Sequence, residues 1–376
     1  MKRYCFYLFV IIAIALCQAA VAQTYLFIGS YNFNRNKQGI YVYRFDTATG
    51  ALEYVSSTRQ IPNPSYVTLS PNGKHLYACT ETLTPKGGAV SSFSFDSRSG
   101  KLTYLGSQKS WGENPVYVTV DKNEKWLVNA NYTEGGISVY PLDSNGIIGE
   151  ARQKMSFAEG SVNQRKQERA HVHCAVFAPA QDYVLFPDLG ADKIRYYSFD
   201  PLKTEPLSAI SDSFMRTIPG SGPRHLTFHP NGKYAYCTEE LSGYVSAYNY
   251  KNGTLDSFQR IATHEVEHDK DYSNADIHVS PDGRFLYASN RGTQNNIAIF
   301  SISAYNGGLR LLGYQSVSGN HPRNFTIDPT GNFLIVANQV SGNVVVFRRD
   351  VKTGMLTKTK HHIRILNPSC VQTRIY

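Results

Sequence analysis

One hairpin recurs along the whole chain, and that recurrence limits the possible folds more than any other feature. NPSYVTLSPNGKHLYACTE (63–81) returns as NPVYVTVDKNEKWLVNANY (114–132), HVHCAVFAPAQDYVLFPDL (171–189) and GPRHLTFHPNGKYAYCTEE (222–240). It returns again as NADIHVSPDGRFLYASNR (274–291) and HPRNFTIDPTGNFLIVANQ (321–339), and a seventh copy opens as NPSCVQTRIY at 367–376. Successive copies begin 46 to 57 residues apart. Self-similarity at such a period, in a sequence of strand-like alternation, means a propeller or a solenoid.

Each repeat continues past its hairpin into two further strands. GYVSAYNY (243–250), NNIAIFSIS (295–303) and GNVVVFRRD (342–350) are third strands, and turns such as Tyr250-Lys251-Asn252-Gly253 lead to a fourth. Four strands make one propeller blade. The last copy supplies only one strand, while the chain starts with TYLFIGSY (24–31), GIYVYRFD (39–46) and ALEYVSS (51–57). The expected fold is therefore an all-β, seven-bladed β-propeller. Its ring closes by pairing the C-terminal strand with the N-terminal strands in one blade, which leaves no free edge there. With 26 Tyr, 19 Phe, 29 Gly and only 18 % charged residues, the composition suits such a sheet-rich protein.

Residues 1–22 read as a signal peptide. Lys2 and Arg3 precede an apolar run from Leu8 to Leu16, and Ala20-Val21-Ala22 offers a cleavage site. The run is short for a membrane span, and Leu16 sits where lipidation at Cys17 would want a small residue. The expectation is one propeller domain over 23–376, exported to the periplasm or secreted, a monomer and not an integral membrane protein. Four cysteines remain after the leader, Cys79, Cys174, Cys237 and Cys370; all fall in strand patterns without metal-ligand spacing and are expected as buried thiols. The formal charge is +9, two of it from Lys2 and Arg3, and the basic residues are dispersed. That pattern argues against a nucleic-acid partner and is compatible with a small anion.

The hairpins differ at their two ends. Their turns carry interchangeable Pro, Asn, Asp and Gly chemistry, whereas their open ends, which must gather at one mouth of the central channel, carry charge. The third position of the first strand holds Ser65, Val116, His173, Arg224, Ala275, Arg323 and Ser369. Two positions earlier stand Asn63, Asn114, His171, Gly222, Ser273, His321 and Asn367. Second strands end in Thr80-Glu81, Asn131-Tyr132, Asp188-Leu189, Glu239-Glu240, Asn290-Arg291 and Asn338-Gln339. Histidine, arginine and glutamate concentrate in the blades that start at 171, 222, 274 and 321, which marks a candidate site. His75 and His229, on the turn side, are expected at the surface.

HPNGKYAY, GPRHLTFHP, IHVSPDGRFLYASNR and HPRNFTIDPTGNFLIVANQ resemble the seven-bladed lactonase propellers. That family includes the propeller type of 6-phosphogluconolactonase and the fungal carboxy-cis,cis-muconate cyclase. The resemblance covers about 24–376 and implies a site of one histidine, two arginines and a glutamate at the channel mouth. On this sequence these are His171 or His173, Arg224, Glu240 and Arg291. The columns above add Glu239, His321 and Arg323 as substrate-binding candidates, and His278, on the first strand of the blade that starts at 274, is added to them.

The implied chemistry is hydrolysis of an anionic sugar-acid lactone. Histidine would act as general base and acid, and arginine would grip the acidic group and the oxyanion. No metal or other cofactor is required. Ring closure of the muconate type, and a non-catalytic exported propeller that binds an acidic ligand or a protein, are the alternatives. Export sits poorly with a pentose-phosphate role, since that substrate is made in the cytoplasm.

Overall fold

The computed structural model describes residues 22–33, 37–82, 87–210, 213–265 and 272–376. The leader, up to Val21, lies outside the described residues. Every described element is a strand, arranged as seven antiparallel sheets in a ring. No helix among the described residues is long and apolar enough to cross a membrane.

Closure occurs as the repeat pattern requires. Pro368–Ile375 pairs with Thr24–Ser30, which continues to Ile40–Phe45 and Leu52–Thr58. Termini stitched into one blade make the ring's integrity depend on both ends of the chain. The four cysteines are buried and unpaired.

Neighbouring blades are locked by a repeated contact. The turn between third and fourth strands holds a glycine at positive φ, and an aromatic ring near the start of the previous blade's second strand packs against it. A Cβ at Gly253 would lie 2.5 Å from the ring of Tyr183, one at Gly307 2.6 Å from Tyr234, and one at Gly354 2.3 Å from Phe285. Gly50 against Phe333 and Gly100 against Tyr25 carry the same lock across the closure. His75 takes the aromatic role against Gly146, and His229 bonds the carbonyl of Gly283. Both turn-side histidines thus serve blade packing, and His75, expected at the surface, is buried.

The inner strands share a second irregularity, and this one shapes the function. In the six regular blades the ladder between first and second strands slips by one residue just inside the mouth, as between Pro64 and Tyr66 or Pro322 and Asn324. The residue inserted is that of the third position. Such a bulge bends the strand and re-aims its side chains.

The blade that starts at 171 departs further. Its inner strand is reduced to Val176–Phe177, and two short strands, Leu207–Ser208 and Phe214–Arg216, share the outer edge. Pro187 in its second strand has no N–H to give the ladder. The Asp188 carboxylate instead takes the amide of His171 at 2.8 Å and pairs with Arg195 at 2.7 Å. The HVHC segment is consequently held by side chains rather than by a full ladder.

Candidate active site

Seven bulged residues ring the axis just inside the mouth, and their sizes decide what the channel holds. Ser65, Ala275 and Ser369 are small and Val116 is modest, so space remains for His173, Arg224 and Arg323. Arg224 is the bulkiest of the fully buried side chains, 1 % exposed. Its Nη1 donates to the carbonyl of Ala275 in the next blade at 2.7 Å. Arg323 reaches across to Glu81, Nη2 to Oε1 3.4 Å, and Tyr31 donates its hydroxyl to the same oxygen at 2.7 Å. A cavity of about 10 Å³, the size of one water, lies between His173, Arg224 and Arg323.

Glu240 is the hub of the cluster. Its Oε2 lies 2.8 Å from Arg224 Nε and 2.9 Å from Arg291 Nη2. Burial works to raise its pKa, but Arg291, Arg224 and Arg323 outweigh it, so the carboxyl is held below the usual range and stays ionised. Arg224 is pushed down to about 10 by burial and by Arg291, which still leaves it charged at neutral pH. Arg291 is fixed by donating Nε to Ser273 O and Nη2 to Asn274 O, each at 3.1 Å. Its Nη1 stands 3.3 Å from His321 Nε2, which accepts from it. Three guanidiniums thus face two carboxylates, Glu240 and Glu81. The mouth keeps an excess of positive charge.

Burial comes first and the arginines second in keeping the neighbouring imidazoles neutral. His321 is pushed down to about 3 by burial, Arg291 and Arg323. His173 falls well below its ordinary value through burial, Arg224, His225 and Arg323. Its Nδ1 is buried and has no hydrogen-bond partner. His171 is turned off the axis: Nδ1 bonds the carbonyl of Tyr132 at 2.8 Å, Nε2 lies 3.3 Å from Glu168, and the ring stacks on Tyr132 at 4.4 Å. His173 meets the same Tyr132 edge-on at 5.5 Å. A neutral imidazole with an unused nitrogen among guanidiniums can accept a proton, and the guanidiniums can hold an oxyanion or carboxylate.

The mouth therefore gathers His171, His173, Arg224, Glu240, Arg291, His321 and Arg323. Two expected binding residues lie elsewhere. Glu239 alternates to the far side of its strand, where Arg260 binds it at 2.8 Å and Ser246 and Ser242 donate to it at 2.5 and 2.6 Å. His278 sits four residues down its strand, about 13 Å from the mouth at 3.3 Å per residue, and bonds Asp276 at 3.0 Å. The columns also contained partners not singled out: Tyr132 and Glu81 stand at second-strand ends, where the pattern exposed them. Glu168 comes from the connection 151–170, whose lack of repeat register left its individual residues unassigned. Among the described residues no group of three or more His, Cys, Asp or Glu is placed to hold a metal ion.

A closed seven-bladed ring with a cationic, partly desolvated cluster at one channel mouth defines a seven-bladed propeller with a candidate small-molecule site on its axis. Residues 25–373 match the family described as Lactonase, 7-bladed beta-propeller. The chain belongs to that family. It is 40 % identical over 352 residues to a 6-phosphogluconolactonase of Formosa agariphila, covering 93 % of this chain and 99 % of the relative. It is 37 % identical over 350 residues to a 6-phosphogluconolactonase of Bacillus subtilis, 92 % and 97 % covered. The solved structure of a periplasmic gluconolactonase of Pseudomonas aeruginosa superposes with a TM-score of 0.89 at 34 % identity, over 93 % of this chain and 99 % of that one.

Proposed function

We propose that the protein hydrolyses the lactone of a sugar acid at this mouth. The carrying observation is the shared carboxylate: Glu240 holds Arg224 and Arg291 on one oxygen, beside a neutral His173 with an unused Nδ1. In this reading His173 takes a proton from water as the oxygen attacks the lactone carbonyl. The charge that develops on the carbonyl oxygen falls to Arg224. The imidazolium then returns the proton to the ring oxygen as the C–O bond breaks, and the open acid leaves. Arg323 and Arg291 grip the substrate's own anionic or hydroxyl groups, and Glu240 fixes the two guanidiniums it touches. A donor aimed at an oxyanion contributes about 2.7–4 kcal/mol. His171 positions Tyr132 and the wall of the site.

Relatives that align over more than nine tenths of this chain and bear lactonase names support that reaction class. The leader-like residues 1–22, with the likeness to a periplasmic gluconolactonase, support action outside the cytoplasm. An exported enzyme would meet unphosphorylated aldonolactones, and every named group of the cluster comes from a single chain.

The test is acid release, followed by pH-stat, from 6-phosphogluconolactone, glucono-1,5-lactone and a carboxylated muconolactone. Opening of a sugar-acid lactone above its spontaneous rate, lost in Arg224→Ala and His173→Gln, is expected. Saturable binding of the acids with no acid release from any lactone would instead make this a binding propeller.

A further inference from the structure

A cavity of about 730 Å³ lies beside the mouth cluster, within the range of small-molecule sites. Lys109 and Trp111 form one wall, Glu134 another, and Phe157, Glu168 and Arg169 come from the connection 151–170. Glu168 joins it to the site, since its Oε1 lies 3.3 Å from His171 Nε2. Tyr132 stacks on His171 at 4.4 Å and meets His173 edge-on at 5.5 Å. Glu168 thus borders the cavity and touches the cluster.

Trp111 is the anomaly in that wall. The corner Trp111-Gly112-Glu113-Asn114-Pro115 repeats as Ser318-Gly319-Asn320-His321-Pro322 in another blade. Both corners put their first residue at positive φ, 56° for Trp111 and 54° for Ser318. In both, a Cβ on the following glycine would lie 2.5 Å from an asparagine, Asn131 or Asn338. The backbone is thus a property of the corner, and serine fills it. A tryptophan there accepts a strained conformation yet remains 51 % exposed, so packing does not explain it. Lys154 covers the ring with its ammonium 3.2 Å from the centroid and is not itself a wall of the cavity.

We propose that this cavity is a subsite for a second sugar ring, and that the preferred substrate is the lactone of an aldobionic acid, an aldonolactone carrying a glycosyl substituent. The inference rests on the lactonase reading above. Trp111 would stack on the C–H face of the pyranose, with Lys109, Arg169 and Glu134 bonding its hydroxyls. Only the lactone C–O bond breaks, water supplying H and OH to its two sides, and the glycosidic bond is untouched.

The experiment compares cellobiono- and maltobiono-1,5-lactone with glucono-1,5-lactone. Wild type should show kcat/KM about tenfold higher on at least one disaccharide lactone. Trp111→Ala should erase that advantage through KM while gluconolactone kinetics stay within about twofold. Equal kcat/KM on single-ring and two-ring lactones, or an equal loss on both in the variant, overturns the subsite. Were no lactone opened at all, the hydrolytic reading would fall by itself, and the subsite would be judged by titrating cellobionate and maltobionate in a calorimeter. Saturation lost in Trp111→Ala would uphold it, and no saturation by tens of millimolar ligand would remove it.

Discussion

Two charged clusters sit in adjacent layers of the channel, and they are built to opposite effect. One residue below the mouth ring, Asp276 is fully enclosed. His225 Nδ1 bonds its Oδ1 at 2.7 Å, while Oδ2 accepts from His278 at 3.0 Å, Asn324 at 2.5 Å and the Phe325 amide at 3.1 Å. Burial pushes that carboxyl up, but His278 and His225 outweigh it and hold it ionised. Four donors on two oxygens leave it little capacity to spend. At the mouth a similar carboxylate, Glu240, is shared between two guanidiniums with a third nearby, and positive charge is left over. Burying charge is costly in either place. The inner cluster is neutralised within the protein, whereas in the proposed function the mouth leaves part of the compensation to a ligand.

Arg224→Ala should break this contrast most severely. It removes a fully buried partner of Glu240, so turnover should fall by about 10²–10³, with a stability loss of about 3–5 kcal/mol from the unpaired charge. Steady-state kinetics and denaturant unfolding read the two separately. Glu240→Gln keeps the shape and should cost about 10² in turnover, with a smaller stability change because the amide oxygen can still accept from both buried guanidiniums.

Asp276→Asn is the converse. Stability should drop by about 2–4 kcal/mol, while the folded fraction retains kcat within a few-fold. A loss of kcat as large as that of Arg224→Ala would show that the inner cluster takes part in the reaction.

The two layers should also separate by pH. His173 and His321 are depressed in the fold, so the stability they carry is present above the ordinary imidazole value and is lost as pH falls below it. The acid limb of kcat/KM should accordingly lie below pH 6.5. His278 is raised, Asp276 overcoming the effect of burial, so its contribution is complete below 6.5 and is lost as pH rises through the elevated value. Thermal melts across pH 6–9 should decline in wild type and flatten in His278→Gln. The smallest effect is expected far from both clusters. Gly307→Ala at the Tyr234 lock should cost about 1–3 kcal/mol, from positive φ and overpacking, with kinetics unchanged.

Much of this molecule was legible in its sequence. A hairpin recurring at a fixed period states the blade number, and a lone terminal strand beside three orphan N-terminal strands states the closure, because an unpaired edge is costly and pairing repeats locally. The same periodicity let residues far apart be read as columns, which is how Arg224, Arg323, Glu240 and Arg291 could be grouped. Columns record depth along the axis and not direction. They could not tell that Glu239 turns into its own blade toward Arg260, because one step along a strand reverses the face. His278, expected at the mouth, stands instead four residues further along its strand. Only the tertiary structure separated His173 from His171: their backbone keeps just a short bridge to the second strand, with the Asp188 carboxylate taking the His171 amide, and it sends one ring to the axis and the other to Glu168. The protonation of those rings was likewise decided by burial beside guanidiniums from other blades, a field that no single segment of sequence contains.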